Sequence, residues 1–236
     1  MGMIHPRQKH GEDPLNPRIW EPNWYVLSHL KRSIEQMFWR KIKPAAGEQI
    51  VDFGCGSRPY EPIFRQAGCR YLGCDLGGAV DLQFQSGQPL PLADGFADGV
   101  VSTQVLEHVW DLDWYLGECR RILKPGGWLL LSTHGTWLYH PSPTDFRRWT
   151  RDGLSEELRQ RGFEVEEMEA VVGPLAWTTF FRLRWLCVGL GKIPYSGLVT
   201  LAAICLMNCR MVLEDFVTPS TIRECNPCIY VVLARK

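Results

Sequence analysis

The stretch that decides the fold is "VDFGCGSRPY", residues 51–60. An apolar pair leads into the carboxylate of Asp52, and two glycines, Gly54 and Gly56, follow two positions apart. Such glycines adopt positive φ and let a ligand approach the backbone, and the free amides of a following helix attract polar or anionic groups. The stretch therefore predicts a strand, a tight turn and a helix that bind a ligand. The alternative is a tight turn that binds nothing.

A second carboxylate narrows the kind of ligand. Asp75 ends the next apolar run, 23 positions after Asp52, where it can accept hydrogen bonds from the hydroxyls of a ribose. The dinucleotide pattern G-x-G-x-x-G is not met, because Pro59 stands at the third glycine. We therefore expect a nucleoside without a pyrophosphate, and a dinucleotide oxidoreductase is disfavoured.

Apolar runs alternate with helical stretches through the middle of the chain, which predicts parallel strands joined by crossover helices. An amphipathic helix is expected before them, from Trp24 to Ile42. Asp152 lies near the cap of a later helix. The predicted strands are "QIVDFG", "RYLGCDL", "DGVVSTQ", "GGWLLLSTH", "EVEEMEAVV" and "CIYVVLARK", and the later helices are "DLDWYLGECRRILKP" and "DGLSEELRQRGF".

Composition excludes some classes of protein. With 236 residues, 45% of them apolar, the chain can bury a full core. Its 26 basic residues balance 26 acidic ones, so it lacks the broad positive field that draws proteins to nucleic acid. The N-terminal sequence has no apolar signal-peptide region, and the nine cysteines are odd in number and irregularly spaced. We expect a reducing, cytoplasmic location.

Four cysteines near the C-terminus raise the question of a metal. Cys205 and Cys209 lie four apart, and Cys225 and Cys228 form a C-x-x-C, a set that could hold zinc. The second pair leads directly into an apolar strand, and free cysteine is often a small buried hydrophobe. We expect no metal site.

Four segments in register carry a resemblance to a known family: "VDFGCGSRPY", "GCDL", "QPLPLADGFADGVVSTQVLEHV" and "ECRRILKPGGWLLLST". The chain resembles class I S-adenosylmethionine-dependent methyltransferases of the type 11 methyltransferase domain family, over roughly Glu48 to Val172. The resemblance implies an α/β fold, a Rossmann-like three-layer sandwich. Its seven-stranded sheet is expected to be mostly parallel, with an antiparallel last strand.

The resemblance also implies a cofactor, S-adenosylmethionine, with S-adenosylhomocysteine as the product. It places the first motif along the amino-acid part of the cofactor, an acidic residue at the ribose and an apolar one beside the adenine. The acidic residue that often contacts the adenine amino group is missing, so a glutamine or a backbone carbonyl is expected there. The implied cofactor-binding residues are Asp52, Gly54, Cys55, Gly56, Asp75, Leu76, Gln88 and Gln104.

The candidates for acceptor chemistry follow the fifth strand, in "STHGTWLYHPSPTDFRRWT". Methyl transfer from a sulfonium needs mainly an aligned nucleophile, and a base when the acceptor is a hydroxyl. His134 or His140 could accept the proton. The expected acceptor-binding residues are Tyr139, Asp145, Arg147 and Arg148. The alternative is that Asp145 only bridges to Arg148 and that the histidines serve the loop itself.

The same stretch resembles a segment of type 11 relatives that are associated with surface-glycan synthesis, so we expect a small-molecule or glycan-type acceptor, methylated at oxygen. Two alternatives stay open: a lipid-linked or hydrophobic acceptor at a membrane surface, and a catalytically silent module that only binds the cofactor. A nucleic-acid methyltransferase is disfavoured, because "STQV" stands where amino-group enzymes carry Asn-Pro-Pro-aromatic. His108 is expected to be structural.

The C-terminal third departs from the minimal domain. Residues 175–215 read as two apolar helical segments separated by "GKIPYSG", inserted before the last strand. We expect a lid over the acceptor site, the alternatives being a peripheral membrane-contacting surface and a homodimer interface. Neither segment has roughly 20 uninterrupted apolar residues, so a membrane span is disfavoured. Residues 1–43 are taken as an N-terminal arm and cap helix, and residues 44–236 as the methyltransferase domain.

Overall fold

The computed structural model describes residues 15–141 and 144–236. Most of the expected N-terminal arm, residues 1–14, lies outside the described residues, as do residues 142–143 of the segment after the fifth strand. The described chain forms a seven-stranded sheet. Its strands are β1 (Gln49–Phe53), β2 (Arg70–Asp75), β3 (Leu82–Gln83), β4 (Ala97–Thr103), β5 (Leu123–His134), β6 (Glu164–Val171) and β7 (Ile229–Arg235).

Seven α-helices surround this sheet in the described ranges. Two further short helical segments differ from regular α-helix: Met37–Ile42 is a π-helical continuation of the first helix, and Leu106–His108 is a 3-10 turn. The α-helices are α1 (Trp24–Gln36), α2 (Glu61–Gln66), α3 (Leu112–Ile122), α4 (Arg151–Gln160), α5 (Pro174–Leu190), α6 (Gly197–Val217) and α7 (Ser220–Cys225).

The strand order is β3-β2-β1-β4-β5-β7-β6. The pairs from β3 through β5 are all parallel, and β7 is inserted antiparallel between β5 and β6. This arrangement confirms the expected mostly parallel sheet with an antiparallel last strand. Because neighbouring parallel strands end at the same edge, the segments that follow β1, β2, β4 and β5 meet there. Ligands of open α/β sheets bind at that edge.

Buried side chains form an apolar layer on each face of the sheet. On one face, Phe38 of the π-helical segment packs edge-on against Phe64 and Trp128, at ring distances of 4.9 and 6.1 Å. On the other, Phe53 stacks on Tyr115 of α3 at 4.4 Å. Two buried layers around one sheet make the three-layer sandwich that the resemblance implied.

Most elements lie where the sequence predicts them, and the differences have local causes. The helix expected at Trp24 to Ile42 forms, but its last turn is π-helical and ends at Lys43, whose φ is +53°. Thr150 caps α4, because its hydroxyl oxygen accepts the Gly153 amide; Asp152 lies in the first turn. Two short elements were not predicted, the two-residue strand β3 and helix α7.

The inserted segment forms a helical hairpin, α5 and α6, which we call the apolar hairpin (residues 174–217). Only one stripe of α6 is buried, formed by Ile204, Asn208, Met211 and Asp215. The sequence disfavours a membrane span, but α6 is long and apolar enough to cross a membrane by length and composition alone. Its 21 residues have a mean hydropathy of 1.5 over the most apolar window, 17% of which is buried.

Candidate active site

The glycine turn after β1 is held against the end of β2. Gly54, with φ of +89°, and Cys55 both donate their amides to the Cys74 carbonyl, at 2.8 and 3.1 Å. A Cβ on Gly54 would stand 2.6 Å from Val105, so no larger residue fits. Gly56, with φ of +52°, faces open space where a Cβ would be. The turn therefore presents bare backbone at the ligand-binding edge of the sheet.

Asp75 fastens this turn from β2. Its Oδ2 accepts the amide of Gly56 at 2.7 Å, and its Oδ1 accepts that of Leu76 at 2.6 Å. The carboxylate is half-buried, and each oxygen retains a lone pair for a further donor. Leu76 beside it is exposed. A carboxylate next to an exposed apolar side chain has the chemistry that a ribose and a base require.

Asp52 is fully buried beneath the turn. Its Oδ2 accepts the hydroxyl of Tyr71 at 2.6 Å, whereas its Oδ1 has no hydrogen-bond partner. Burial raises the pKa of this carboxyl to about 7, although the hydrogen bond from Tyr71 lowers it. An orphaned carboxylate oxygen below a glycine turn is a site that a nearby positive charge would stabilise.

The remaining predicted cofactor residues lie around the same edge. Burial raises the pKa of the Cys55 thiol to about 12, so it stays protonated. Gln104 has φ of +56° and donates through Nε2 to the Ser132 hydroxyl at 3.0 Å, which joins the ends of β4 and β5. Gln88 is exposed, and its backbone carbonyl accepts a hydrogen bond from the Trp114 indole N–H at 3.0 Å.

Three histidines and a glutamate meet where β4 and β5 end; we call Glu107, His108, His134 and His140 the histidine cluster. His134 Nδ1 lies 2.6 Å from Glu107 Oε1, and both residues are buried. Glu107 Oε2 accepts the Thr133 hydroxyl at 2.8 Å. The His140 ring stands edge-on to both other histidines, 4.8 Å from His134 and 4.9 Å from His108.

The members of the histidine cluster differ in the direction and cause of their pKa shifts. Burial raises the pKa of Glu107, but the His134 imidazole and the hydrogen bonds to the carboxylate outweigh it, and that pKa falls to about 2. Burial, together with the neighbouring His134 and His108, lowers the pKa of His140 to about 4. Near neutral pH the cluster thus holds an ionised Glu107 and an uncharged His140.

Asp145 and Arg148 engage each other. Arg148 forks onto Asp145 with two contacts of 2.5 and 2.6 Å, and it also donates to the Leu138 carbonyl at 2.8 Å. Burial raises the pKa of Asp145, but the Arg148 hydrogen bonds outweigh it and hold that pKa well below its ordinary value. Asp145 also accepts the His140 amide at 2.9 Å. The Asp145–Arg148 bridge that the sequence analysis named as an alternative is therefore present, and it holds the loop through contacts with Leu138 and His140.

Two other predicted acceptor residues lie further out. Arg147 donates to the Val109 carbonyl and, at 2.8 Å, to that of Trp110, and its guanidinium lies 5.6 Å from the Trp110 ring centre. Tyr139 is exposed. Acceptor binding stays a prediction for Tyr139, Asp145, Arg147 and Arg148. The N–H groups of the two arginines already donate to these internal partners, so an acceptor would have to share them.

An aromatic stack joins the histidine cluster to the apolar hairpin. Trp137 lies parallel to His134 at 4.5 Å, and its ring also stacks on Trp177 at 5.1 Å and on Phe180 at 5.3 Å. The last two belong to α5. The base of the hairpin therefore forms part of the wall beside His134, which suits the expected lid without establishing closure.

The cluster also contains metal-type ligands. The candidate ligand atoms of Glu107, His134 and His140 lie within 4.8 Å of one another, and imidazole with carboxylate suits zinc and similar ions. Elsewhere in residues 15–141 and 144–236 no other group of three such residues comes together, so the four C-terminal cysteines do not form one. Cys228 is buried and Cys225 exposed.

Sequence reasoning named both His134 and His140 but missed the partner of His134. Glu107 stood only within the quoted segment "QPLPLADGFADGVVSTQVLEHV" and was given no role. The signal that could have found it is register: Thr103 pairs with Ser132, so the segments that follow β4 and β5 start side by side. Tyr71, which binds Asp52, and Trp137 were also not singled out.

Comparison with known proteins was made by sequence and by fold. A family model described as "Methyltransferase domain" matches residues 25–168, more than half of the chain. A probable S-adenosylmethionine-dependent methyltransferase of Mycolicibacterium smegmatis is 30% identical over 168 residues, covering 64% of this chain and 63% of that protein. The chain thus spans a little less than two thirds of that relative.

A second relative is a ubiquinone biosynthesis O-methyltransferase of Cereibacter sphaeroides, 25% identical over 198 residues, which cover 69% of this chain and 80% of the relative. Among solved structures, a Haemonchus contortus phosphoethanolamine N-methyltransferase in complex with S-adenosylmethionine matches 92% of this chain and 56% of its own, with 15% identity and a TM-score of 0.55. The cyclase SpnF matches 87% of this chain and 80% of its own, with 21% identity and a TM-score of 0.58. At these identities the structures share the fold alone.

Proposed function

Because this chain belongs to the class I S-adenosylmethionine-dependent methyltransferases, we propose that it methylates a hydroxyl oxygen of a small-molecule or glycan-type acceptor. The observation that supports this proposal most directly is the buried Glu107 carboxylate 2.6 Å from the His134 imidazole. This pair is suited to removing a proton from a hydroxyl.

The residues at the glycine turn fit the cofactor. S-adenosylmethionine supplies a methyl group made electrophilic by its sulfonium. We propose that the open backbone at Gly56 lies against its amino-acid part and that Asp75 accepts the ribose hydroxyls. The orphaned oxygen of Asp52 supports a positive charge nearby, as the α-ammonium would supply. These roles follow the family pattern at the positions where this chain matches it.

His134 is the proposed general base. His134 Nδ1 lies 2.6 Å from Glu107 Oε1, so Nε2 is the ring nitrogen left to take the acceptor's proton. When Nε2 takes the acceptor's proton, the ionised carboxylate stabilises the imidazolium, as the carboxylate does in Ser-His-Asp sites. Glu107 is a positioning residue, because it acts through His134. The His140 ring stands edge-on to His134 and is uncharged near neutral pH, so it adds no positive charge that would oppose protonation of His134.

Two observations favour oxygen as the atom that is methylated. A base is needed for a hydroxyl and not for an amine that is already neutral, and this site offers a base with a buried carboxylate behind it. One relative acts in O-methylation, according to its description. The wall beside His134 is aromatic, while the loop carries polar groups.

The test measures methyl transfer from labelled S-adenosylmethionine to a panel of catechol, phenol and sugar acceptors and to small molecules from cell extracts. We expect His134→Asn to lower kcat by roughly 100-fold or more, the range typical of a general base. Glu107→Gln is expected to lower kcat less and to shift its pH profile. His29→Asn, on α1 and away from the site, is the matched control. Product carrying the label on nitrogen or carbon, or full turnover by His134→Asn, would contradict the proposal.

The same cluster supports a second candidate mechanism, in which a divalent cation on Glu107, His134 and His140 lowers the pKa of the acceptor hydroxyl. It is distinguished by removing metal. Under the base mechanism, activity survives dialysis against a chelator, and the purified protein contains no stoichiometric metal. Loss of activity that zinc, magnesium or manganese restores would favour the cation instead.

A further inference from the structure

The apolar hairpin presents an unusual surface. Along the nine residues of its tip, 191–199, every residue is exposed except Ser196, which is half-buried. Leu198 is 82% exposed, Leu206 on the same helix 71%, and Phe216 at its end 86%. Apolar surface of this kind on a soluble protein marks an interaction site when it is contiguous. The function proposed above uses none of it.

The charged residues of the hairpin between residues 170 and 213 all have one sign. Between Glu169 and Glu214 the chain has no acidic residue, and its four charged residues there are Arg182, Arg184, Lys192 and Arg210. Arg210 pairs with Glu214, at 2.7 Å. Arg182 and Lys192 are exposed and make no ion pair among the described residues. A protruding apolar tip with unpaired cations is complementary to an anionic lipid surface.

The aromatic residues of the hairpin suit the same environment. Tyr195 at the tip is fully exposed, and Trp185 on α5 is 58% exposed. Tyrosine and tryptophan prefer the membrane–water interface, because an apolar ring lies there beside a polar atom that stays hydrated. Exposed tyrosine and tryptophan thus accompany the aliphatic residues and the cations on one hairpin.

We propose that the apolar hairpin docks this protein on the surface of an anionic lipid bilayer, with its tip inserted among the headgroups.

The buried stripe of α6 argues against a span. Asp215 accepts the Tyr25 hydroxyl at 3.0 Å and the Gly173 amide at 2.7 Å, and Asn208 donates to the Ile19 carbonyl at 2.6 Å. These polar contacts hold the C-terminal half of α6 against the rest of the fold. To cross a bilayer, α6 would have to break them inside hydrocarbon, where unpaired polar groups are costly. Peripheral docking keeps them.

A second copy of the chain is the less suitable occupant. A two-fold interface brings the same patch of each copy together, so Arg182 and Lys192 would face a partner hairpin that also lacks acidic residues between 170 and 213. Apolar contact would then be opposed by like charges. Anionic lipid headgroups supply the negative charge opposite Arg182 and Lys192 that a second hairpin lacks.

The test is co-sedimentation with vesicles, without cofactor or acceptor, so that its result is independent of methyl transfer. We expect binding to vesicles of two parts phosphatidylcholine and one part phosphatidylglycerol, and much weaker binding to phosphatidylcholine alone. Leu198→Glu/Leu206→Glu should weaken binding by about tenfold or more, because an inserted apolar side chain of the tip and an exposed one behind it are both replaced by carboxylates, which anionic headgroups repel. Trp110→Glu, on a residue 72% exposed outside the hairpin, is the matched control.

A second pair of variants tests the charges. Arg182→Ser/Lys192→Ser is expected to weaken binding to the anionic vesicles on the order of tenfold and to leave binding to neutral vesicles unchanged. Arg40→Ser/Arg70→Ser changes two exposed arginines outside the hairpin and should have little effect. All four sites are on the surface, so the melting temperature should stay close to that of the unmodified protein.

Two results would overturn the docking proposal. One is the absence of sedimentation with either vesicle, or sedimentation that the hairpin variants do not change. The other is a dimer in analytical ultracentrifugation that Leu198→Glu/Leu206→Glu converts to monomer while vesicles bind nothing, which would assign the surface to a second copy.

Discussion

The protonation of Asp52 should make the affinity for the positively charged cofactor depend on pH. The raised Asp52 pKa of about 7 means that the carboxyl is mostly protonated below neutrality in the free protein. A positive charge bound over the glycine turn favours the ionised form, so protonation must weaken binding. The neighbouring charged groups that act on Asp52 are Asp75, Glu61 and Arg58.

We therefore expect S-adenosylmethionine to bind roughly tenfold more weakly at pH 5.5 than at pH 7. At pH 5.5, binding should release close to one proton, which titration calorimetry detects by comparing buffers of different ionisation enthalpy. Asp52→Asn should bind weakly at both pH values and release none. A pH-independent affinity in the unmodified protein would show that Asp52 stays in one protonation state.

Single residues also show where sequence reasoning stops. The glycine turn and Asp75 lie together as predicted, because their positions follow from strand ends alone. Glu107 could not be matched to His134 without the register of β4 and β5, and the low pKa of His140 depends on burial that only packing reveals. The ion pair between Asp145 and Arg148 was one of the alternatives in the sequence analysis, and the two residues are three apart in the chain.

At the scale of elements, the pairing of β4 with β5 depends on a glycine. Gly99 lies opposite Trp128, and a Cβ there would stand 2.1 Å from the indole. Gly99→Ala should therefore lower the free energy of unfolding by about 1–3 kcal/mol, the cost of overpacking a core.

The matched control is Gly117→Ala, because Gly117 is exposed in the middle of α3 and nothing lies within 4 Å of its added Cβ. This change should stabilise by roughly 0.5–1 kcal/mol through helix propensity. Urea unfolding of the two variants measures both. Equal effects would mean that Trp128 moves aside at no cost and that the β4–β5 contact is looser than its geometry suggests.

Element boundaries were predicted well where periodicity was strong and less well where pairing decided them. The predicted helix "DLDWYLGECRRILKP" ends at Pro125 and the predicted fifth strand starts at Gly126. In the structure β5 begins at Leu123, because Leu123 pairs with Ala97 across a register shift. β3 has only two residues, too few for any pattern. α5 and α6 were predicted from composition, but which stripe of α6 is buried depends on α1 and the rest of the fold.

At the scale of the whole molecule, the chain combines a methyltransferase sandwich with an apolar hairpin that lies beside the histidine cluster. The fold was predictable because four motifs occur in one order along the sheet. The sequence left a lid, a membrane-contacting surface and a dimer interface open for the hairpin, because apolar composition does not show how much of a segment the neighbouring fold covers. The stack from His134 through Trp137 to Trp177 joins the two parts.

Titration calorimetry measures directly whether the glycine turn and Asp75 bind S-adenosylmethionine. We expect one site per chain for the cofactor and for S-adenosylhomocysteine, with an affinity at least tenfold lower in Asp75→Ala, which removes a charged hydrogen-bond acceptor. Gly54→Val should abolish binding, since its side chain would collide with Val105. A folded protein that binds neither compound would contradict the account.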